Sequence, residues 1–81
     1  MKVLKFEASW CGPCKMLSKV FEGAAGKYTT EVQVVDIDEN PDLAKQYGVR
    51  GVPTMVKLDG DVEIGRKVGM VNEAQLLEFL G

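Results

Sequence analysis

An apolar stretch that runs straight into a helix, with two cysteines at the join, constrains this chain more than anything else in it. Met1-Lys2-Val3-Leu4-Lys5-Phe6-Glu7-Ala8 partly alternates and reads as a strand, whereas Met16, Leu17, Val20, Phe21 and Ala24 recur at helical spacing. The only two cysteines lie between them, in Trp10-Cys11-Gly12-Pro13-Cys14-Lys15. Pro13 suits a first helical turn, where a missing N–H costs nothing. Cys11 is therefore expected near the helix N-cap and Cys14 one turn further in.

A thiolate at that position faces unsatisfied backbone N–H groups and the positive end of the helix dipole, and both favour the charged sulfur. Cys11 is expected to ionise more easily, attack a target disulfide and form a mixed disulfide. Cys14 then attacks Cys11 and releases the reduced target. Three other readings of the pair carry less weight. A zinc site needs about four ligands, and a chain without histidine or further cysteine adds only carboxylates. A purely structural disulfide would close a tiny loop and remove little chain entropy from the unfolded state. A metal half-site shared by two chains would draw four thiolates from two copies.

With 81 residues the chain is expected to form one domain, residues 1–81, whose apolar segments are all committed to a small core. Apolar content of 46% with 27% charged residues fits a soluble globular chain, and no apolar run is long enough to span a bilayer. The first residues lack the apolar core and small-residue cleavage site of a secretory signal, so a reducing, cytoplasmic setting is the expectation. A net charge of −2 with both signs interspersed leaves no basic footprint for nucleic acid. Nothing in the composition requires more than a monomer, and no bound metal or organic cofactor is expected.

Further along, the first helix is expected over about Pro13 to Ala25, ended by Gly26, followed by a β-branched strand over Glu31–Ile37. Strand, helix and strand of this length form a right-handed βαβ unit with parallel strands. Asn40 reads as the N-cap of a short helix with Pro41 at its first position and Gly48 as its stop. Thr54–Leu58 and Val62–Val68 flank Asp59-Gly60, a hairpin signal. Asn72 and Gln75 have the form of a capping box for a last helix that packs Leu76, Leu77, Phe79 and Leu80. The order β-α-β-α-β-β-α predicts an α/β fold, a four-stranded mixed sheet flanked by three helices. Met16, Met55 and Met70 read as packing residues.

Trp10-Cys11-Gly12-Pro13-Cys14-Lys15, Asp38-Glu39-Asn40-Pro41, Tyr47-Gly48-Val49-Arg50-Gly51-Val52-Pro53-Thr54 and Lys67-Val68-Gly69 together resemble the thioredoxin family along nearly the whole chain. The resemblance implies a thioredoxin fold and a protein-disulfide reductase whose own Cys11–Cys14 dithiol is the redox group. Trp10, Gly12, Pro13, Lys15 and Pro53 then support the active site, with Pro53 cis. Trp10, Gly51, Val52, Pro53, Val68, Gly69 and Met70 form the surface that docks a disulfide-containing target. It also implies an electron donor, either a thioredoxin reductase drawing on NADPH or a glutaredoxin-type system with glutathione, and a place in electron transport and cell redox homeostasis. The rival readings are a glutathione-dependent reductant, an oxidant or isomerase of disulfides, and a redox-independent binding module that uses the same face.

The chain departs from the family pattern in three places, one of them Lys19, which stands where the family usually has a proline in the active-site helix, so that helix is expected to be straighter. The chain also starts at the strand leading into the active site, so the expected fold is the minimal, glutaredoxin-sized version with one sheet edge uncovered. The family's buried aspartate, to which the resolving thiol's proton is assigned, aligns with Lys5, and the lysine that accompanies it aligns with Val34. Strand periodicity puts Lys5 and Glu7 on one face, about 7 Å apart, so they pair or bracket a water. The expectation is that Glu7, a water or a neutral Lys5 assists deprotonation of Cys14. The alternative is that Lys5 snorkels to solvent and has no chemical role.

Overall fold

Val3, Leu4, Lys5 and Phe6 are consecutive and all buried, so the first strand is covered on both faces. That strand, β1 (Lys2–Glu7), lies inside the sheet of a computed structural model that describes residues 1–81. It is followed by α1 (Gly12–Gly23), β2 (Glu31–Asp36), α2 (Pro41–Gln46), β3 (Thr54–Asp59), β4 (Val62–Val68) and α3 (Glu73–Leu80). The strand order is β2-β1-β3-β4, with β1 parallel to β2 and both other pairings antiparallel. The mixed four-stranded sheet with three helices expected from the sequence is the fold observed.

Alternation along β1 sends Val3 and Lys5 to one face and Leu4 and Phe6 to the other. Val3 joins Leu17, Ala24, Met55, Val71, Leu76 and Leu80 in the core beneath α1 and α3. Leu4 and Phe6 join Val35, Ala44, Val56 and Leu58 in the core beneath α2. Because β1, β2 and β4 run in one direction and β3 in the other, one end of the sheet collects the ends of β1, β2 and β4 and the start of β3. The cysteines sit at that end.

Several element boundaries differ from expectation. The first helix ends at Gly23 with Ala24 as its C-cap, two residues short of Ala25. The chain then turns at Gly26, whose φ of +82° is open to glycine. Asn40 precedes α2 but makes no side-chain cap; its amide donates instead to the Asp36 carbonyl at 3.2 Å. The hairpin turns on Gly60-Asp61, because Asp59 still pairs with Val62, and glycine at the first central position with φ +62° matches the strands' twist. The capping box on α3 is formed in full, with Gln75 N donating to Asn72 Oδ1 at 2.8 Å and Asn72 N to Gln75 Oε1 at 2.9 Å.

Candidate active site at the start of the first helix

Cys11 is the N-cap of α1, in an extended conformation with φ −90° and ψ 108°, and Gly12 and Pro13 fill the first two helical positions. Cys14 occupies the third, and its backbone N–H donates to the Cys11 sulfur at 3.1 Å. A sulfur thus takes the place that an oxygen takes in an ordinary N-cap and satisfies one of the orphan donors of the first turn. The two cysteines are joined as a disulfide, with Cα atoms 5.3 Å apart. Both are nearly inaccessible, in a small cluster with Ala8 against which Ile37 and Val52 pack.

Around this pair the sheet end assembles the remaining residues. The Val52–Pro53 peptide bond is cis, Pro53 is buried, and the Val52 carbonyl oxygen lies 3.6 Å from the Cys11 sulfur. Thr54 Oγ1 donates to the Gly51 carbonyl at 2.7 Å and fixes the turn that carries them. Gly69, with φ +88°, donates its N–H to the Pro53 carbonyl at 2.8 Å, which ties the end of β4 to the same loop. Trp10 is two-thirds exposed, and its indole Nε1 donates to Asp38 Oδ2 at 2.9 Å. Val68 and Met70 are also exposed, whereas Val52 is half-buried. Gly12, Pro13 and Lys15 lie on the solvent side of the first turn.

Lys5 and Glu7 lie between β1 and the α1 helix that carries the cysteines. Lys5 does not reach solvent: its side chain is 5% exposed, and Nζ donates to Glu7 Oε1 at 2.8 Å and to Ser18 Oγ at 2.7 Å. The ammonium also sits 5.1 Å from the centroid of the Phe21 ring. Ser18 Oγ in turn donates to the Cys14 carbonyl at 3.1 Å. Lys5 and Glu7 therefore pair directly, with no water between them, and the lysine is tied to the helix that carries the cysteines rather than to either sulfur. Sequence reasoning assigned no role to Ser18, and it marked Asp38 only as part of a family motif, not as the partner of Trp10. The signal for Ser18 was its position four residues after Cys14, where a serine hydroxyl bonds back to the helix carbonyl.

A disulfide at a helix N-cap, beside a cis-proline loop and an exposed tryptophan, defines a thiol–disulfide oxidoreductase that carries its redox group in its own chain. The family model described as Thioredoxin matches residues 1–81. The chain is 43% identical over 81 residues to a thioredoxin from Pseudomonas aeruginosa, covering 96% of this chain and 74% of that protein. It is 40% identical over 80 residues to a thioredoxin from Acidithiobacillus ferridurans, with the same two coverages. A mutant thioredoxin from Halobacterium salinarum superposes with a TM-score of 0.89 at 40% identity, covering 98% of this chain and 70% of that one. The chain belongs to the thioredoxin family. It acts on protein disulfides by dithiol–disulfide exchange through Cys11 and Cys14, a reading favoured over a glutathione-dependent reductant and over a redox-independent binding module.

Proposed function

We propose that the chain is a one-domain reductant of protein disulfides in which Cys11 is the attacking thiol and Cys14 the resolving one. The observation that carries this is the Cys14 N–H pointing at the Cys11 sulfur at 3.1 Å from the first turn of α1. An amide aimed at a sulfur, with the helix dipole behind it, stabilises negative charge there once the disulfide is opened. The Cys11 thiolate attacks one sulfur of the target disulfide and displaces the other as a thiolate, which takes a proton from solvent. Cys14 then loses its proton and attacks Cys11. The second target sulfur leaves as a thiolate, is protonated, and the Cys11–Cys14 disulfide is restored.

Trp10, Gly51, Val52, Pro53, Val68, Gly69 and Met70 form the docking surface for the target in this reading. Support comes from the exposed apolar side chains of Trp10, Val68 and Met70 around the sulfur pair. Gly12, Pro13 and Lys15 shape the first turn. Electrons come from a thioredoxin reductase that draws on NADPH, and the protein works as a monomer in a reducing cytoplasm, within electron transport and redox homeostasis.

Insulin reduction separates the donors: turnover is expected with NADPH and a thioredoxin reductase, and little with glutathione and glutathione reductase. Cys11→Ser abolishes turnover. Cys14→Ser leaves the protein trapped on its target as a mixed disulfide, visible by mass spectrometry. Turnover by a double Cys11→Ser, Cys14→Ser variant would overturn the mechanism.

A further inference from the structure

Lys5 is a buried cation on the side of β1 that otherwise faces an apolar core, and burying an ammonium costs several kcal/mol unless its surroundings compensate. Its compensation comes from Glu7, Ser18 and the Phe21 ring. Two of those three partners lie on α1, and one of them, Ser18, bonds directly to the carbonyl of Cys14. Glu7 is partly exposed, with a side chain 28% accessible, so its charge is screened by water while that of Lys5 is not.

We propose that Lys5 is a positioning residue for the resolving step: its buried ammonium, fixed between Glu7 and Ser18, stabilises the thiolate of Cys14. This rests on the exchange mechanism above. In the step affected, the Cys14 S–H gives its proton to solvent. The sulfur's electron pair then forms the bond to the Cys11 sulfur as the bond from Cys11 to the target breaks. No proton passes to or from Lys5 in this step. Its link to the cysteine is the Ser18 hydroxyl, which accepts from Lys5 Nζ at 2.7 Å and donates to the Cys14 carbonyl at 3.1 Å, in a setting where Cys14 is 2% exposed and charge is poorly screened.

The other charged groups near this end are committed elsewhere. Asp36 accepts from the backbone N–H groups of Asp38 and Glu39, and Asp38 accepts from the Trp10 indole. Glu73 on α3 pairs with Lys27 at the other end of α1, away from the cysteines. Lys15 and Lys19 on α1 are exposed, and the residues beside Lys5 on the neighbouring strands, Val34 and Met55, carry no charge. Lys5 and Glu7 are thus the charged pair that is hydrogen-bonded, through Ser18, to the backbone of Cys14.

The test measures the rate at which a preformed mixed disulfide with a small thiol is resolved, as a function of pH, in the wild type, in Lys5→Met and in Lys5→Met combined with Glu7→Gln. Lys5→Met removes the cation and leaves the Glu7 carboxylate, so the midpoint is expected to rise by about one pH unit and the rate below it to fall about tenfold. The double variant removes both charges, and its midpoint is expected between those of the wild type and Lys5→Met. Identical midpoints in all three would overturn the proposal, since packing alone changes stability and not titration. A double variant slower than Lys5→Met would overturn it in favour of Glu7 as the base. Should Lys5→Met not fold, Ser18→Ala is measured instead; it is expected to raise the midpoint by less than one unit, and no shift would count against the proposal. Wild-type insulin reduction in the same preparation reports separately on the exchange mechanism.

Discussion

The two faces of β1 meet the same sheet with opposite chemistry. Beneath α2, Leu4 and Phe6 pack with Val35, Ala44, Val56 and Leu58, and the Phe6 ring lies 6.1 Å from that of Tyr47. Beneath α1 and α3, Val3 is followed by Lys5, so the apolar core stops one residue pair short of the cysteines and gives way to an ion pair. The α2 side is built for packing alone. The α1 side keeps its polar groups at the end where sulfur must change charge, and takes its apolar cover from α1 and α3 together.

This contrast predicts unequal costs. Phe6→Ala opens a cavity in a fully buried aromatic site and should destabilise the fold by about 3–5 kcal/mol in chemical denaturation. A loss below about 1 kcal/mol would mean that the α2 face tolerates voids and that the two faces do not differ as described.

The contrast was only half legible in the sequence. Periodicity placed Lys5 and Glu7 on one face, and the strand–helix junction placed Cys11 at the N-cap, because both follow from spacing within one element. Whether Lys5 would reach solvent depended on Ser18 and Phe21 arriving from α1, which is a matter of packing between elements. The same limit hid the Lys57 Nζ bonds to the Phe79 and Gly81 carbonyls at 2.9 and 3.5 Å, which tie β3 to the end of α3. It also hid the bond from Thr30 Oγ1 to the Leu80 carbonyl. The hairpin turns one residue beyond the Asp59-Gly60 signal, because Asp-Gly and Gly-Asp are both turn pairs and pairing of Asp59 with Val62 decides between them. The cis state of Pro53 came from the family resemblance, since local sequence gives proline only a turn or strand start.

On the α1 side, the seating of α3 offers the next largest effect. Asn72→Ala removes the acceptor for the Gln75 N–H and breaks the reciprocal capping box, at a cost of about 1 kcal/mol. Hydrogen exchange should show the first turn of α3 opening more often while amides of α2 keep their protection. Equal loss on both faces would show that the two cores unfold as one unit. Lys5→Met should change stability less, by under about 1 kcal/mol, because methionine fills the same space and the partly exposed Glu7 carboxylate left behind is solvated. A large loss there would make the ion pair a structural staple and weaken the contrast.

The smallest effect belongs to the rim of the α2 face, where Arg66 holds Glu63 through two bonds of 2.9 Å and reaches the Tyr47 carbonyl with Nη2 at 2.5 Å. The hydrogen bond from Arg66 holds the Glu63 carboxyl below its ordinary value of 4.5, and the same bond raises the guanidinium further. A carboxyl depressed on folding adds stability above its unfolded value, and that gain is lost as pH falls from about 4.5 through the folded value. Glu63→Gln should therefore lower stability slightly at neutral pH, with the difference from wild type vanishing in acid and shrinking in high salt, because the pair is exposed. Denaturant midpoints at pH 7 and pH 3 check this. If the difference persisted unchanged at pH 3, the residue would be acting through packing, and the α2 face would owe its rim to shape and not to charge.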